Sequence, residues 1–183
     1  MILDRFDRSP SDEMLKKGLI VFFILFVITC ISVNYAFEIS NYPVSFTESQ
    51  LSFSGQSIKS HYAQMTDEDI GVYIMAQGVD YAYLFCYGGF ILLLGVFIGR
   101  KWFTDSSIRY GAYIMGCAGI IAAICDAIED AFIIAMAKNP VHFPDSYAIA
   151  HSYLASIKFA LLGLAIVMVL VFSVIKVIKK GKR

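Results

Sequence analysis

Residues 110–137 read YGAYIMGCAGIIAAICDAIEDAFIIAMA, a long apolar run broken only by Asp126, Glu129 and Asp130. The run has the length of a membrane-crossing helix, because a bilayer core of roughly 30 Å takes about 20 helical residues. Acids at that depth are costly, so their neighbours must say how they are tolerated. The rest of the chain has the same character. Of its 183 residues 58% are hydrophobic and 16% charged, with a mean hydropathy of +0.66. That is too apolar for a water-soluble domain and suits a membrane protein. Runs at about 17–38, 70–99, 108–136 and 147–176 qualify as spans. The expected fold is all-α, an integral membrane antiparallel four-helix bundle.

Charge placement sets the orientation. Twelve of the fifteen Lys and Arg lie in three places: residues 5–17, residues 100–109, and residues 176–183. The positive-inside rule then predicts cytoplasmic N and C termini, a cytoplasmic middle loop and a multi-pass protein of the plasma (inner) membrane. The first run, KKGLIVFFILFVITCISVNYAF, lacks a cleanly placed small-residue cleavage site and reads as a retained helix rather than a signal peptide. Organisation follows as a leader at 1–16, a transmembrane domain at 17–178, and a basic tail at 179–183. The exterior loop at 39–69 is expected to hold a short amphipathic helix at about 54–65. Thr66 and Asp69 form a capping-box pattern ahead of the second span. The basic tail suits contact with anionic headgroups rather than nucleic acid. Cys30, Cys86, Cys117 and Cys125 show no C-x-x-C spacing and read as packing residues.

At about 100° per residue, Asp126, Glu129 and Asp130 share a helix face with Gly119 and Ala123. Ala112, Gly116, Gly119 and Ala123 make a small-residue side suited to close helix approach, so the acids point into the bundle. The second span aligns Tyr73, Gln77, Asp80 and Tyr87, flanked by Tyr81 and Tyr83, and the fourth aligns His151 with Lys158. At about 1.5 Å per residue, Asp80 lies roughly 16 Å, the three acids roughly 12–18 Å, His151 roughly 9 Å and Lys158 roughly 20 Å from the outer ends of their helices. Three helices thus bring polar groups to one depth. The expected site comprises Asp80, Asp126, Glu129, Asp130, His151 and Lys158, lined by Gln77, Tyr73 and Tyr87.

Four carboxylates against one lysine and one histidine leave about three negative charges to be met by protons, water or a cation. The expected function is an outward-facing intramembrane acidic pocket that binds a cation, a proton or a cationic small molecule, as in a transporter or channel subunit. The only cofactor suggested is a monovalent or divalent cation, with Asp80, Asp126, Glu129 and Asp130 as candidate metal ligands. A structural or immunity-type protein whose acids only hold the bundle is one alternative. A metal-dependent enzyme acting on lipid is another. Catalysis finds little in the residues, because D-x-x-E-D lacks the neighbouring histidine of di-metal bundles and no residue is a catalytic candidate. The expected partners are the lipid bilayer and other copies of the chain, a homo-oligomer being expected if a protomer this small moves anything.

The segments YIMAQGVDYAYLFCYGGF, ICDAIEDAFI and AIAHSYLASIKFALLGL together resemble a family of small, uncharacterised prokaryotic four-transmembrane-helix proteins. The resemblance runs from about Phe53 to Leu164. It implies the four-helix fold and supplies no activity. Pore-forming bacteriocin immunity proteins are similar in size and topology, without a shared motif.

Overall fold

A computed structural model describes residues 2–181. A short 3-10 helix at Ile2–Asp7 precedes six α-helices: α1 (Asp12–Glu38), α2 (Phe46–Gln50), α3 (Gly55–Tyr62), α4 (Asp67–Trp102), α5 (Ser106–Ala137) and α6 (Asp145–Gly181). The described residues contain no strand. Three helices, α1, α4 and α6, are long and apolar enough to cross a membrane. The fourth expected span falls on α5, which has 32 residues and carries the three acids but is not among those three. Large apolar side chains stand exposed along α1 and α6, with Ile31, Ile166 and Leu170 all more than 60% accessible. Apolar surface on that scale needs lipid, not water, against it. The chain is therefore a membrane protein.

The helices pack in sequence, α1 on α4, α4 on α5 and α5 on α6, and α4 is the most enclosed of the three apolar helices. Small residues set the α4–α5 spacing. A Cβ at Gly95 would meet the Ala112 carbonyl oxygen at 2.5 Å and Gly116 Cα at 2.8 Å, and one at Gly88 would meet Ala123 Cβ at 2.9 Å. The small side of α5 read from the sequence therefore lies against α4, and Gly88 and Gly95 answer it, seven residues apart on α4.

The starts of the helices are sealed locally. Ser11 accepts from Met14 N at 3.3 Å ahead of α1, and Asp105 accepts from Ser107 N at 2.9 Å ahead of α5. The expected capping box is present at α4: Asp69 N donates to Thr66 Oγ1 at 3.1 Å, and Thr66 N donates to Asp69 Oδ2 at 3.0 Å. Together these side chains satisfy donors that a helix start otherwise leaves free.

The leader is docked on the ends of α4 and α5. The Phe6 ring meets Tyr113 at 5.6 Å, and Tyr113 donates to Asp7 Oδ1 at 2.7 Å. Arg109 Nε lies 3.2 Å from Asp7, Arg100 donates to the Phe6 and Pro10 carbonyls, and Lys101 pairs with Asp12. Leu15 closes this corner, fully buried with Val96 and Tyr113. At the same end, Lys176 of α6 lies over the Trp102 ring at 4.0 Å.

Between α1 and α4, residues 39–66 build an aromatic plug. Tyr42 stacks on Tyr73 at 4.6 Å, and Tyr62 meets Tyr73 at 6.2 Å and Phe143 at 6.3 Å. The Tyr42 hydroxyl is 2.8 Å from Ser49 Oγ and 3.3 Å from His61 Nδ1. Burial pushes the Tyr42 hydroxyl up to about 12, with the Ser49 hydrogen bond acting weakly the other way. An unfolded tyrosine ionises near pH 10. The stability that Tyr42 contributes by staying protonated is thus full below about pH 10 and is lost as pH rises from about 10 to about 12. Tyrosinate absorbance in an alkaline titration is expected to show a late-ionising class that Tyr42→Phe reduces.

Candidate functional site

The four acids come from two helices. Three of them sit on the face of α5 that turns inward, one to two turns past the small residues that let α5 approach α4. Asp126 is 5% accessible, and Glu129 and Asp130 are fully buried. Asp80 comes from the enclosed face of α4 and is 8% accessible. His151, at 1%, and Lys158, at 4%, come from α6. All six polar groups expected from the sequence are buried, and each lies within 5 Å of at least one other.

Lys158 divides the acids. Its Nζ lies 2.7 Å from Asp126 Oδ1 and 2.7 Å from Glu129 Oε2, so one ammonium bridges two carboxylates on successive turns of α5. Asp126 Oδ2 also accepts from the Tyr87 hydroxyl at 3.1 Å. His151 stands at the edge, its Nε2 3.7 Å from Glu129 Oε1, beyond hydrogen-bond length. Its Nδ1 faces the Ala148 carbonyl and Ser152 Oγ, each at 3.4 Å, and Ser152 Oγ accepts from Phe53 N at 3.1 Å. The segment that crosses above α6 is thereby fixed beside His151.

Asp80 and Asp130 have no such cation. Oxygens of Asp80, Asp126 and Asp130 lie within 4.8 Å of one another. Neither oxygen of Asp130 has a hydrogen-bond partner among the described residues, and Gln77 Oε1, one turn from Asp80, has none either. Two full charges 4.8 Å apart repel by about 3.5 kcal/mol at an effective dielectric near 20. Lys158 touches only one member of this trio, so its positive charge leaves the Asp80–Asp130 side uncompensated. All the donors there are oxygens, the chemistry of hard cations such as Ca²⁺, Mg²⁺ and Mn²⁺. Asp80, Asp126 and Asp130 are the residues able to hold such an ion. Glu129, the fourth expected ligand, lies outside the trio and serves Lys158.

The aromatic lining divides as well. Tyr87 is in the site through its hydroxyl. Tyr73, 2% accessible, packs in the plug with Tyr42 and Tyr62. Tyr81 donates to the Ala127 carbonyl at 2.9 Å, and Tyr83 packs on Tyr87 with ring centres 5.2 Å apart. Sequence reasoning missed the plug residues Tyr42, Tyr62 and Phe143 and the clamp made by Lys158 on two acids rather than one. The i, i+3 spacing of Asp126 and Glu129 was the available signal for that clamp, since a single long cation can reach both.

No protein-family model matches the chain, and neither does any curated protein or solved structure.

Proposed function

We propose that this is a multi-pass protein of the plasma (inner) membrane whose acidic site binds a cation at Asp80, Asp126 and Asp130. In this reading α5 is the fourth span, the bundle is antiparallel, and both termini lie inside. The reading is supported by the basic residues of the leader, the 100–109 loop and the end of α6, which lie at one end of the molecule. The observation that carries the cation is Asp130, fully buried and lacking a hydrogen bond on either oxygen, beside two further carboxylates. Inside a membrane such a group must be met by a cation, a proton or water. Lys158 and the Tyr87 hydroxyl hold Asp126 in place. A transporter or channel subunit would use this site as a step along its path, assembled as a homo-oligomer.

The test is thermal unfolding of the purified protein in neutral detergent across Ca²⁺, Mg²⁺, Mn²⁺, Na⁺ and K⁺, repeated over pH. One ion is expected to raise the melting temperature in a saturable way, and Asp80→Asn with Asp130→Asn to abolish that response while leaving a folded protein. A shift that follows pH alone would make the cation a proton. No dependence on ion or pH would sink the proposal.

A second reading rests on the Lys158 clamp, whose two 2.7 Å contacts are those of a structural ion pair. In it the acids hold α5 to α6 and bind nothing. The asparagine pair would then change stability equally in every salt.

A further inference from the structure

Two hollows lie along the seam between α4 and α6, and neither is lined by a carboxylate. The first, of about 500 Å³, is walled by Arg100, Lys101, Trp102, Lys176, Lys179 and Lys180 among others. The second, of about 360 Å³, is apolar, its walls including Phe90, Leu94, Leu162, Ile166, Val169 and Leu170. Helical spacing puts them in line. At about 100° per residue, positions 162, 166, 169, 176 and 180 of α6 fall within about 80° of one another, and so do 87, 91, 94 and 101 of α4. From Tyr83 to Leu94 the apolar groove follows α4 for about 16 Å, close to the roughly 15 Å half-thickness of a bilayer core.

The basic hollow has charge to spare. Arg100 and Lys101 share a single acid, Asp12. Lys176, Lys179 and Lys180 have no carboxylate partner among the described residues, and the Trp102 and Phe103 rings sit 4.0 and 5.8 Å from Lys176 and Lys179. Arg100 Nη2 is buried without a hydrogen-bond acceptor. Trp102 is half-buried beside these cations, the position of an interfacial aromatic anchor.

We infer that the α4–α6 seam is a specific site for an anionic phospholipid, its phosphate among Arg100 and the three α6 lysines and one acyl chain in the groove below. Charge complementarity selects an anionic headgroup, and the groove in register with it selects a lipid over a free anion. The site is separate from the acidic trio and stands whether or not that trio binds a cation. In this arrangement the lipid ties α6 to the end of α4, where direct contact between the two helices is sparse.

The test uses the full chain in dodecyl maltoside with added phosphatidylglycerol, phosphatidylcholine or inorganic phosphate, read as bound lipid by native mass spectrometry and as thermal stability. Phosphatidylglycerol is expected to bind and stabilise. Lys176→Gln, Lys179→Gln and Lys180→Gln together are expected to lower its affinity roughly 100-fold, as for three basic groups near an anionic surface. Ile166→Trp, which fills the groove but keeps the charges, is expected to weaken the lipid without altering any response to phosphate. The unsubstituted protein provides a control independent of variant folding, since about 1 M salt, with a Debye length near 3 Å, is expected to remove the preference. Equal binding of phosphatidylcholine, stabilisation by phosphate alone, or a preference that survives high salt would each overturn the assignment.

Discussion

Lys158→Met is expected to cost about 3–5 kcal/mol of stability, the penalty for leaving buried carboxylates without their cation. Both partners lose at once, because the same Nζ lies 2.7 Å from Asp126 and 2.7 Å from Glu129. The Tyr87 hydroxyl gives Asp126 a hydrogen bond but no positive charge, and offsets only part of this. Titration with a denaturing detergent, monitored by helical circular dichroism, would read the loss. The charge origin has its own control. Adding Asp126→Asn and Glu129→Gln to Lys158→Met removes the orphaned anions and is expected to restore most of the stability. A single variant within about 1 kcal/mol of the original protein would show that the clamp holds nothing, given the usual cost of breaking a buried pair. Failure of the triple variant to recover would place the effect in lost packing of the lysine stem instead.

Gly95→Leu is expected to be comparably damaging for a different reason. Even a Cβ there would stand 2.5 Å from the Ala112 carbonyl oxygen and 2.8 Å from the Gly116 backbone nitrogen. Backbone cannot rotate aside as a side chain can, so α4 and α5 must separate. Over-packing costs about 1–3 kcal/mol, occasionally more, and a clash with backbone falls at the upper end. The separation also moves Asp80 away from Asp126 and Asp130, which are carried by the two helices concerned. Any ion-dependent stabilisation is therefore expected to disappear together with the stability itself. Gly163, on α6, has open space around it and serves as the contrast. Gly163→Leu is expected to leave stability within about 0.5 kcal/mol, as at unconstrained positions. A Gly95→Leu protein of ordinary stability would contradict the close approach of α4 and α5.

The helices and the polar faces were legible because both depend on local spacing. The 3.6-residue period put Asp126, Glu129 and Asp130 with Gly119 and Ala123, and burial of that face follows from it. Matching depths along α4, α5 and α6 brought Asp80 and Lys158 to the same level. What spacing along one helix does not encode is which groups on neighbouring helices meet. The sequence allowed one ion pair for Lys158, whereas the structure has it between two acids, with Asp80 and Asp130 apart from it. Tyr73 fell on the same stripe as Asp80, yet it belongs to the plug because Tyr42 arrives from a connection whose course has no periodic signal. Gly88 and Gly95 were visible as residues, but their role depended on knowing that α5 lies opposite. The leader read as a polar extension, since its contacts with Arg100, Lys101 and Arg109 join residues about 90–100 positions apart.

Those leader contacts impose an order of events on synthesis. Asp12 and Lys101 are 89 positions apart, and Asp4 and Tyr110 are 106 apart. At about 5–20 residues per second, a ribosome takes roughly 5–20 s to make the second partner after the first. For that interval the leader has no α4 or α5 to rest on, and Phe6 and Leu15 lack the Tyr113 and Val96 that later enclose them. The leader, made before α4 and α5, is thus fixed only after them, and its docking reports that α4 and the start of α5 have reached their places.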